Sequence, residues 1–353
     1  MRVRVLRPQE LTPALHERWR ELQRSHPLYA SPFFHPAFTR MVARSRDDVH
    51  VGVLEAGADV ALGFFPFQRA RFGVGQPVGW TLCDYQGVVA APDCRWEVRE
   101  LLSACGLRWF DFDHLPAAQE PFAAFQRAHS PSIVLDLSDG FEGYAQEQER
   151  AGSHTLGRLA KRLRRLERDH GPARFEAHVT ERAALDTLLS WKSAQYRRTG
   201  MADLLARPWF REVTEAAAHT EEEGFAGMLS VLYAGDRLVA AHLGLRSDTV
   251  WHYWLPAHDV DPALAPCSPG LLLILAMARH AESLGVRALD FGKGETRHKR
   301  EFANSEVQLA EGWVRASPLA LPWQWRREAR ALARRSGLGP RARRVANRLR
   351  GRG

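Results

Sequence analysis

A repeat within the chain limits its possible folds more than any other feature. The segment VLEAG at 53–57 resembles VLYAG at 231–235, which begins 178 residues later. The segment GLRWFDF at 106–112 resembles GVRALDF at 285–291, at an offset of 179. Two matches at nearly the same offset, about half of the 353-residue chain, indicate two copies of one structural unit. The alternative is a chance likeness between two ordinary hairpins.

The two matches also predict secondary structure. A glycine-containing turn between apolar runs is typical of a β-hairpin, and a glycine followed by an apolar run marks a helix end and a new strand. We expect strands near 49–54, 60–67, 78–90 and 108–113, and near 227–233, 238–245, 249–255 and 287–292. We expect helices near 93–105, 155–169 and 269–284. This order predicts an α/β protein in which each unit is a mixed, mainly antiparallel sheet flanked by helices.

The positive charge is concentrated at one end. Residues 326–353 contain eleven arginines and one acid, a net charge of +10, so the remaining chain sums to 8 − 10 = −2. We expect a first unit at 1–140, a second unit at 141–318 and an Arg-rich tail at 319–353. The tail suits an anionic membrane surface, and a charged end without a partner is an equal alternative. Nucleic acid is the less expected partner, because the body is nearly neutral and only Trp323 and Trp325 accompany the arginines.

The composition favours a cytoplasmic location, with the inner face of the membrane as a possible docking place for the tail. The longest apolar run, Leu271–Ala278, has eight residues, well short of the roughly 18 that span a membrane. The N-terminus has no apolar core of signal-peptide length. The four cysteines form no CxxC pair, which suits a reduced protein without a metal site.

Two segments suggest contact with an anionic ligand. The helix at 155–169 has leucines at 156, 159, 163 and 166 on one stripe and basic residues on its other faces. That pattern fits a solvated surface or a basic wall beside a ligand. Ser268-Pro269-Gly270 precedes an apolar helix, with Ser268 suited to the N-cap and Pro269 to the first turn. A helix start with a glycine is a natural phosphate site, although most such starts are only caps. The first copy has Val89-Ala90-Ala91 there, which favours an active second unit and a structural first unit.

These motifs resemble the GNAT acyltransferase superfamily, and within it the CelD-like branch linked to cellulose and exopolysaccharide biosynthesis. The resembling segments cover about 30–315 and are Phe64-Phe65-Pro66-Phe67, Asp84-Tyr85-Gln86-Gly87, Trp191-Lys192, Gln195-Tyr196, Thr199-Gly200, Ala240-Ala241-His242, Ser268-Pro269-Gly270-Leu271-Leu272, Gly285, Leu289-Asp290-Phe291-Gly292-Lys293-Gly294-Glu295 and Lys299. The tandem arrangement is also similar to Fem-type aminoacyltransferases. Two departures are the Ser-Pro-Gly turn, where GNAT proteins commonly have Arg/Gln-x-x-Gly-x-Gly/Ala, and His298-Lys299, where the branch tends to have Tyr-Lys.

The resemblance implies an acyltransferase that uses acetyl-CoA or another acyl-CoA as donor, and no metal. The acceptor would be an amine, or a hydroxyl, of a sugar or polysaccharide precursor. The alternatives are a Fem-like transferase that uses aminoacyl-tRNA and a non-catalytic scaffold of a polysaccharide synthase. The resemblance further implies that the donor's pantetheine pairs with the strand at 249–255 and its pyrophosphate lies at the Ser-Pro-Gly turn. It places Ser268, Pro269, Gly270, Leu271, Leu272 and Lys299 at the donor.

The chemistry of acyl transfer requires a base for the amine and a proton donor for the thiolate. We predict His242 or Glu295 as base and Tyr253 as proton donor. The alternatives are a hydrogen-bonded core histidine at 242 and sheet packing at Tyr253. We expect Tyr85, Lys192, Gln195 and Asp290 to bind the substrate, with Tyr85 in a cleft between the units. Asp111 matches Asp290 in the first copy, so a structural role for Asp290 is an alternative.

Overall fold

The computed structural model of the protein describes residues 2–57, 60–321 and 323, with the backbone alone at 297 and 298. Most of the predicted tail and the His298 side chain therefore lie outside the described residues. The strands are β1 Arg2–Leu6, β2 Val49–Ala56, β3 Val60–Ala70, β4 Val74–Gln76, β5 Val89–Ala90, β6 Trp109–Pro116, β7 Gln126–Asp136, β8 Ala173–Glu176, β9 Glu221–Glu222, β10 Phe225–Ala234, β11 Arg237–Arg246, β12 Val250–His258, β13 Ala288–Lys293 and β14 Ser305–Arg315. The α-helices are α1 Pro13–Arg24, α2 Pro36–Ser45, α3 Val98–Ala104, α4 Gly140–Arg150, α5 Thr155–His170, α6 Arg182–Arg198, α7 Pro208–Ala217, α8 Pro269–His280 and α9 Arg297–Phe302.

Both predicted hairpins form, and the repeat is structural. β2 pairs with β3 and β10 pairs with β11, both antiparallel. The glycine after each first strand, Gly57 and Gly235, has a φ of +57° in both copies. The glycines before β6 and β13, Gly106 and Gly285, have φ of +69° and +71°. Left-handed backbone at both pairs explains why glycine recurs at these offsets.

The strands join in one mixed sheet that exchanges a strand between the halves. Its order is β1-β2-β3-β4-β6-β14-β7-β13-β12-β11-β10-β8, with β5 and β9 as side branches. β7 comes from the first half of the chain but pairs with β13, and β14 comes from the second half but pairs with β6. β7 and β14 pair with each other at the centre, so the two halves share a continuous ladder.

Three predicted elements have different bounds. The strand predicted at 78–90 is wrong: within that range only β5 at 89–90 is a strand, and a 3₁₀ turn at Trp80–Leu82 precedes it. Gly79 and Gly87 have φ of +75° and +137°, which interrupts an extended run. The helix predicted at 93–105 is shorter, at Val98–Ala104. The helix predicted from 269 ends at His280 and continues as a 3₁₀ turn, Ala281–Leu284.

Candidate active site

The pairing of β12 with β13 ends early and leaves one edge of β12 open. The strands are parallel and pair only at Val250–His252 and Ala288–Asp290. β12 continues to His258 beside β11, whereas β13 passes on to β7. Within the described chain, the backbone of 253–258 thus has no strand partner on that side, and an extended ligand can pair there.

A cleft of about 470 Å³ follows this open edge to the start of α8. The sequence-predicted residues that line it are Gln195, Tyr253, Ser268, Pro269, Gly270 and Leu271. Two further residues predicted for the donor are not brought to this cleft. Leu272 is buried in the core beneath α8, because the first turn of the helix directs it inward. Lys299 lies at the end of β13.

The start of α8 offers fewer donors than a complete phosphate loop. Ser268 precedes the helix but has a left-handed backbone, with φ of +52°, and its hydroxyl caps no helical N–H, so the predicted side-chain cap is wrong. The Ser268 carbonyl instead accepts from the N–H groups of Leu271 (2.9 Å) and Leu272 (3.3 Å). Pro269 has no N–H. Gly270 therefore has the one N–H of this turn without an acceptor in the described chain.

The cleft narrows where Gly270 faces His258. A Cβ on Gly270 would lie 3.4 Å from His258 Nδ1, so any longer side chain there would enter the cleft. Burial lowers the pKa of His258 below its ordinary value, and Arg198 lowers it further. At pH 7 the imidazole is therefore a neutral hydrogen-bonding group beside the Gly270 N–H.

The basic helix α5 supports α8 but does not line this cleft. Its predicted leucine stripe packs into the core that α8 completes. Arg165 and Arg168 pair with Asp169 at the surface. No α5 side chain is among the residues that line this cleft. Arg158 and Lys161 instead line a separate cleft of about 610 Å³ beside α4, so both interpretations of the helix stay predictions.

His242 holds a β-bulge in β12. Tyr253 and Trp254 together oppose Gly244 of β11, so β12 has one extra residue at this point. The buried His242 Nε2 lies 3.1 Å from the backbone nitrogen of Trp254 and 3.1 Å from the carbonyl oxygen of His252. Nε2 accepts from the Trp254 N–H in one tautomer and donates to the His252 carbonyl oxygen in the other. Burial lowers the pKa of His242 to about 3, so the ring is neutral at pH 7. Its role as base stays a prediction that this placement does not favour.

Tyr253 connects the bulge to the cleft. Its ring stacks on His242, with centroids 4.7 Å apart, and contacts Phe291 edge-on. Burial raises the pKa of Tyr253 above its ordinary value, so the hydroxyl stays protonated over the physiological range. A protonated phenol in the cleft fits the predicted donor role, which stays a prediction.

Helix α6 brings Lys192 and Gln195 to the same region. Lys192 Nζ donates to the carbonyl oxygen of Pro256 on β12 (3.0 Å), and burial lowers its pKa to about 8. Gln195 lines the cleft, and its buried Oε1 has no partner in the described chain. A free amide oxygen at this position can accept a hydrogen bond from an N–H of a bound ligand.

A buried polar cluster joins the two halves at the end of the β12–β13 pairing. Asp290 accepts from the hydroxyls of Tyr85 (2.6 Å) and Ser132 (2.6 Å). His252 Nε2 lies 3.1 Å from Ser31 Oγ and 3.7 Å from Asp290 Oδ2. Tyr85, Ser31 and Ser132 belong to the first half. The structure thus confirms neither an open cleft at Tyr85 nor a substrate contact for Asp290, because both side chains are buried and bonded to each other.

Asp84 and Lys299 lie at the rim of this cluster. Lys299 Nζ donates to the carbonyl oxygens of Gly292 (3.0 Å) and Lys293 (3.1 Å), which fixes the end of β13. Asp84 has a side chain that is 22% exposed and lies 3.9 Å from His114 Nε2. The predicted base Glu295 is different: it is exposed and pairs with Arg300 (2.5 Å), on the surface and outside the cleft lining.

Sequence reasoning missed the first-half members of this cluster other than Asp84, Tyr85 and Gln86. They include Ser31, Ser132, Asp113 and His114. His114 Nδ1 lies 2.9 Å from Asp113 Oδ1, and the same oxygen accepts from the Gln86 side chain. The run Asp111-Phe112-Asp113-His114, with polar residues inside a strand, is a signal for the last two. Ser31 and Ser132 have no local signal, because only the tertiary fold brings them to Asp290 and His252.

The described residues contain neither a recognisable metal-binding group nor a membrane-spanning helix. No group of three or more His, Cys, Asp or Glu side chains in this part of the chain is placed to bind a metal ion. In the same part, no helix combines the length and the apolarity needed to cross a bilayer.

Comparison with known proteins identifies chains with a similar fold. Residues 153–300 match the family model for an acetyltransferase (GNAT) domain. FemX is similar in structure, with a TM-score of 0.55, 10% identity, and 90% of this chain and 99% of that chain covered. A tandem GNAT protein from the clavulanic acid biosynthesis pathway has a TM-score of 0.50, 12% identity, and the same two coverages of 90% and 99%. L-PGS from Bacillus licheniformis has a TM-score of 0.50, 11% identity, and coverages of 86% and 91%.

No curated protein sequence matches the chain. The similar structures share the fold at low identity, and the family match covers the stretch that contains β12, the α8 start and β13. The described chain therefore has a tandem GNAT-like fold, and the match to the GNAT acetyltransferase domain lies in its second half.

Proposed function

We propose that the protein is an N-acyltransferase that moves an acyl group, acetyl in the first instance, from CoA to an amine of a sugar or polysaccharide precursor. The GNAT domain supports N-acyl transfer. The sugar-type acceptor is supported by the resemblance to the CelD-like branch, and a hydroxyl acceptor is the variant of the same proposal.

The open edge of β12 beside the α8 cleft is the observation that carries the proposal. The edge of β12 at 253–258 that has no strand partner on the β13 side suits the two amides of a pantetheine arm, which would add as a short strand. The Gly270 N–H and the neutral His258 suit the phosphates. The Gln195 oxygen is a further acceptor for an amide N–H.

The reaction sets clear demands on the protein. An alkylamine with a pKa of about 10.4 costs about 5 kcal/mol to deprotonate at pH 7. The leaving thiolate needs a hydrogen-bond donor, and Tyr253 is proposed for that role because it lines the cleft and burial raises its pKa. Burial of the Tyr253 hydroxyl and the thiolate would strengthen the hydrogen bond between them, because the local dielectric is low.

Calorimetric titration with acetyl-CoA and free CoA tests the donor. Gly270→Glu would place a carboxylate beside His258 in the cleft, so we expect at least a 100-fold weaker Kd. Gly157→Glu is the matched control, because a side chain at Gly157 in α5 meets nothing within 4 Å. We expect the control to bind like the wild type. Folded wild-type protein that binds neither compound would contradict the CoA donor.

One observation favours a second candidate, the Fem-like use of aminoacyl-tRNA. The α8 start has a single free N–H, which is little for a pyrophosphate. Under this candidate, CoA would not bind and [14C]aminoacyl-tRNA would donate its label to an amine. Folded protein that shows neither activity would point to the non-catalytic scaffold.

The partner proposed for the Arg-rich tail is the anionic inner face of the cytoplasmic membrane. Exposed apolar residues lie where the described chain leads into the arginines: Leu319 and Leu321 are 65% and 37% exposed, and Trp323 contacts Phe72, which is 69% exposed. Apolar side chains beside a segment with a net charge of +10 suit a bilayer surface, because burial of the apolar groups and attraction of the charges to anionic lipids both favour binding.

A further inference from the structure

The structure gives the two predicted bases little support. His242 is engaged at the β12 bulge, and Glu295 is paired with Arg300 at the surface, so both roles stay predictions. Asp290 is buried and accepts two hydroxyls and the Gly292 N–H (2.8 Å), so both of its oxygens are occupied. A further carboxylate is therefore a candidate to take the proton of an amine acceptor.

We propose that Asp84, from the first half of the chain, accepts this proton and holds the acceptor amine beside the open end of the β12–β13 pair. This inference rests on the proposed function, since it assigns the acceptor side of the same reaction. It also changes the role expected for the first half, which would contribute a catalytic residue rather than only support.

The backbone on both sides of Asp84 is fixed. The Tyr85 hydroxyl is bonded to Asp290, and the Cys83 thiol donates to the Tyr85 carbonyl (2.8 Å). The Gln86 side chain bonds to the strand β6 through the backbone N–H of Asp113 (3.0 Å). A base held by its neighbours in this way loses little conformational entropy when the acceptor binds.

Asp84 lies directly against the strand that borders the open edge. A Cβ on Gly292 would be 3.3 Å from Asp84 Oδ2, so the carboxylate packs on β13 two residues beyond the last pair with β12. Gly292 has φ of +73°, which further favours glycine at this contact. The carboxylate is part exposed, with 22% of its side chain accessible against 4% for Asp290. Of these two carboxylates, Asp84 is the more accessible to solvent.

The charges around Asp84 come from four elements. His114 on β6, His252 on β12 and Lys299 on α9 stabilise its anion, while Asp290 on β13 opposes it. Burial is the largest influence and raises the pKa of Asp84 above its ordinary value. A carboxylate with a raised pKa is a stronger base than a free aspartate.

Asp84 takes one proton from the ammonium, and the free amine attacks the thioester carbonyl. The C–N bond forms, and the C–S bond breaks as the leaving thiolate takes the proton of the Tyr253 hydroxyl. The second amine proton passes to the Tyr253 oxygen as the intermediate collapses, which restores the hydroxyl. The products are the amide, the CoA thiol and the single proton held by Asp84, which the carboxyl then releases to solvent.

The test compares Asp84→Asn with wild type by thiol release from acetyl-CoA, with D-glucosamine as the probe amine. We expect kcat to fall by about 100- to 1000-fold with an unchanged Kd for CoA. The acid limb of the wild-type pH profile should disappear in the variant, because no carboxylate titrates. A merely structural role would not remove that limb, and the melting temperature controls for folding.

Glu295→Gln is the rival variant in the same assay. We expect Glu295→Gln to keep the acid limb and most of kcat. Loss of that limb in Glu295→Gln, or wild-type kcat in Asp84→Asn, would overturn the assignment while CoA binding stayed intact. Absence of CoA binding in the wild type would overturn the proposed function itself, which is a distinguishable result.

Discussion

Two buried neutral histidines make the protein sensitive to acid. Burial lowers the pKa of both His35 and His242 to about 3, against about 6.5 in an unfolded chain. Between these two pH values the unfolded chain binds a proton at each position and the folded chain does not. The free energy of unfolding therefore falls as the pH drops from about 6.5 towards 3, at up to about 1.4 kcal/mol per pH unit for each histidine.

Replacing one of these histidines should reduce that slope. We expect His242→Gln to lose stability at pH 7, because the bulge loses its ring, but to show a pH slope that is shallower by about 1 kcal/mol per unit. Urea unfolding at pH 7, 5.5 and 4.5 measures both quantities. Parallel pH profiles for wild type and variant would contradict the neutral state of His242.

At the scale of single elements, the β12 bulge depends on a small residue opposite it. A Cβ on Gly244 would lie 2.4 Å from the His252 carbonyl oxygen and 2.4 Å from His242 Cε1. One of these atoms is backbone, so the strand pair itself would have to move. The bulge sets which way Tyr253 and Trp254 point, and therefore which side chain enters the cleft.

Gly244→Ala should consequently destabilise the fold at this bulge. We expect a loss of about 3 kcal/mol in the free energy of unfolding, as for other overpacked sites. Gly157→Ala is the control, since that position in α5 is open and alanine favours a helix by up to about 1 kcal/mol. Equal stability of Gly244→Ala and wild type in urea would mean that the bulge tolerates a methyl group.

Local patterns predicted the elements that local chemistry determines. The hairpins, α5 and the start of α8 follow from glycine turns, a leucine stripe and a proline, and each appears close to its predicted bounds. The false strand at 78–90 arose because apolar residues outweighed Gly79 and Gly87 in the pattern. The sequence does not indicate the bulge, because glycine is needed at 244 only for its close contacts with His242 and His252 in the folded structure. The hydroxyls of Ser31 and Ser132 around Asp290 likewise depend on contacts far apart in the sequence.

Across the whole molecule, the repeat predicted two like halves but not how they combine. The exchange of β7 and β14 is a pairing between distant segments, which no periodicity in either strand reveals. The predicted boundary at residue 140 falls between β7 and α4, and it stays a prediction about domains within a continuous sheet. The polar cluster that spans the halves shows why the exchange matters, since Ser132 on β7 is a partner of Asp290.

The Arg-rich tail gives a prediction at the same scale. Full-length protein should sediment with vesicles that contain phosphatidylglycerol and not with pure phosphatidylcholine, and about 0.5 M salt should release it. Replacing the six arginines after residue 340 by glutamine should weaken binding at least 100-fold. Phe72→Ser should weaken it less, and Val60→Ser is its control as an exposed apolar residue at the start of β3. Equal binding to both kinds of vesicle would contradict the electrostatic part of the proposal.

The strand exchange also sets an order for folding during synthesis. β6 of the first half has β14 as a neighbour, and β14 ends only at Arg315 of the 353 residues. As the chain leaves the ribosome, that side of β6 stays unpaired until residues up to 315 have been made. β7 likewise lacks its partner β13 until that strand has been made, so the first half cannot complete its sheet alone. Assembly of the polar cluster that spans the halves is thereby delayed until β13 and β14 have been made.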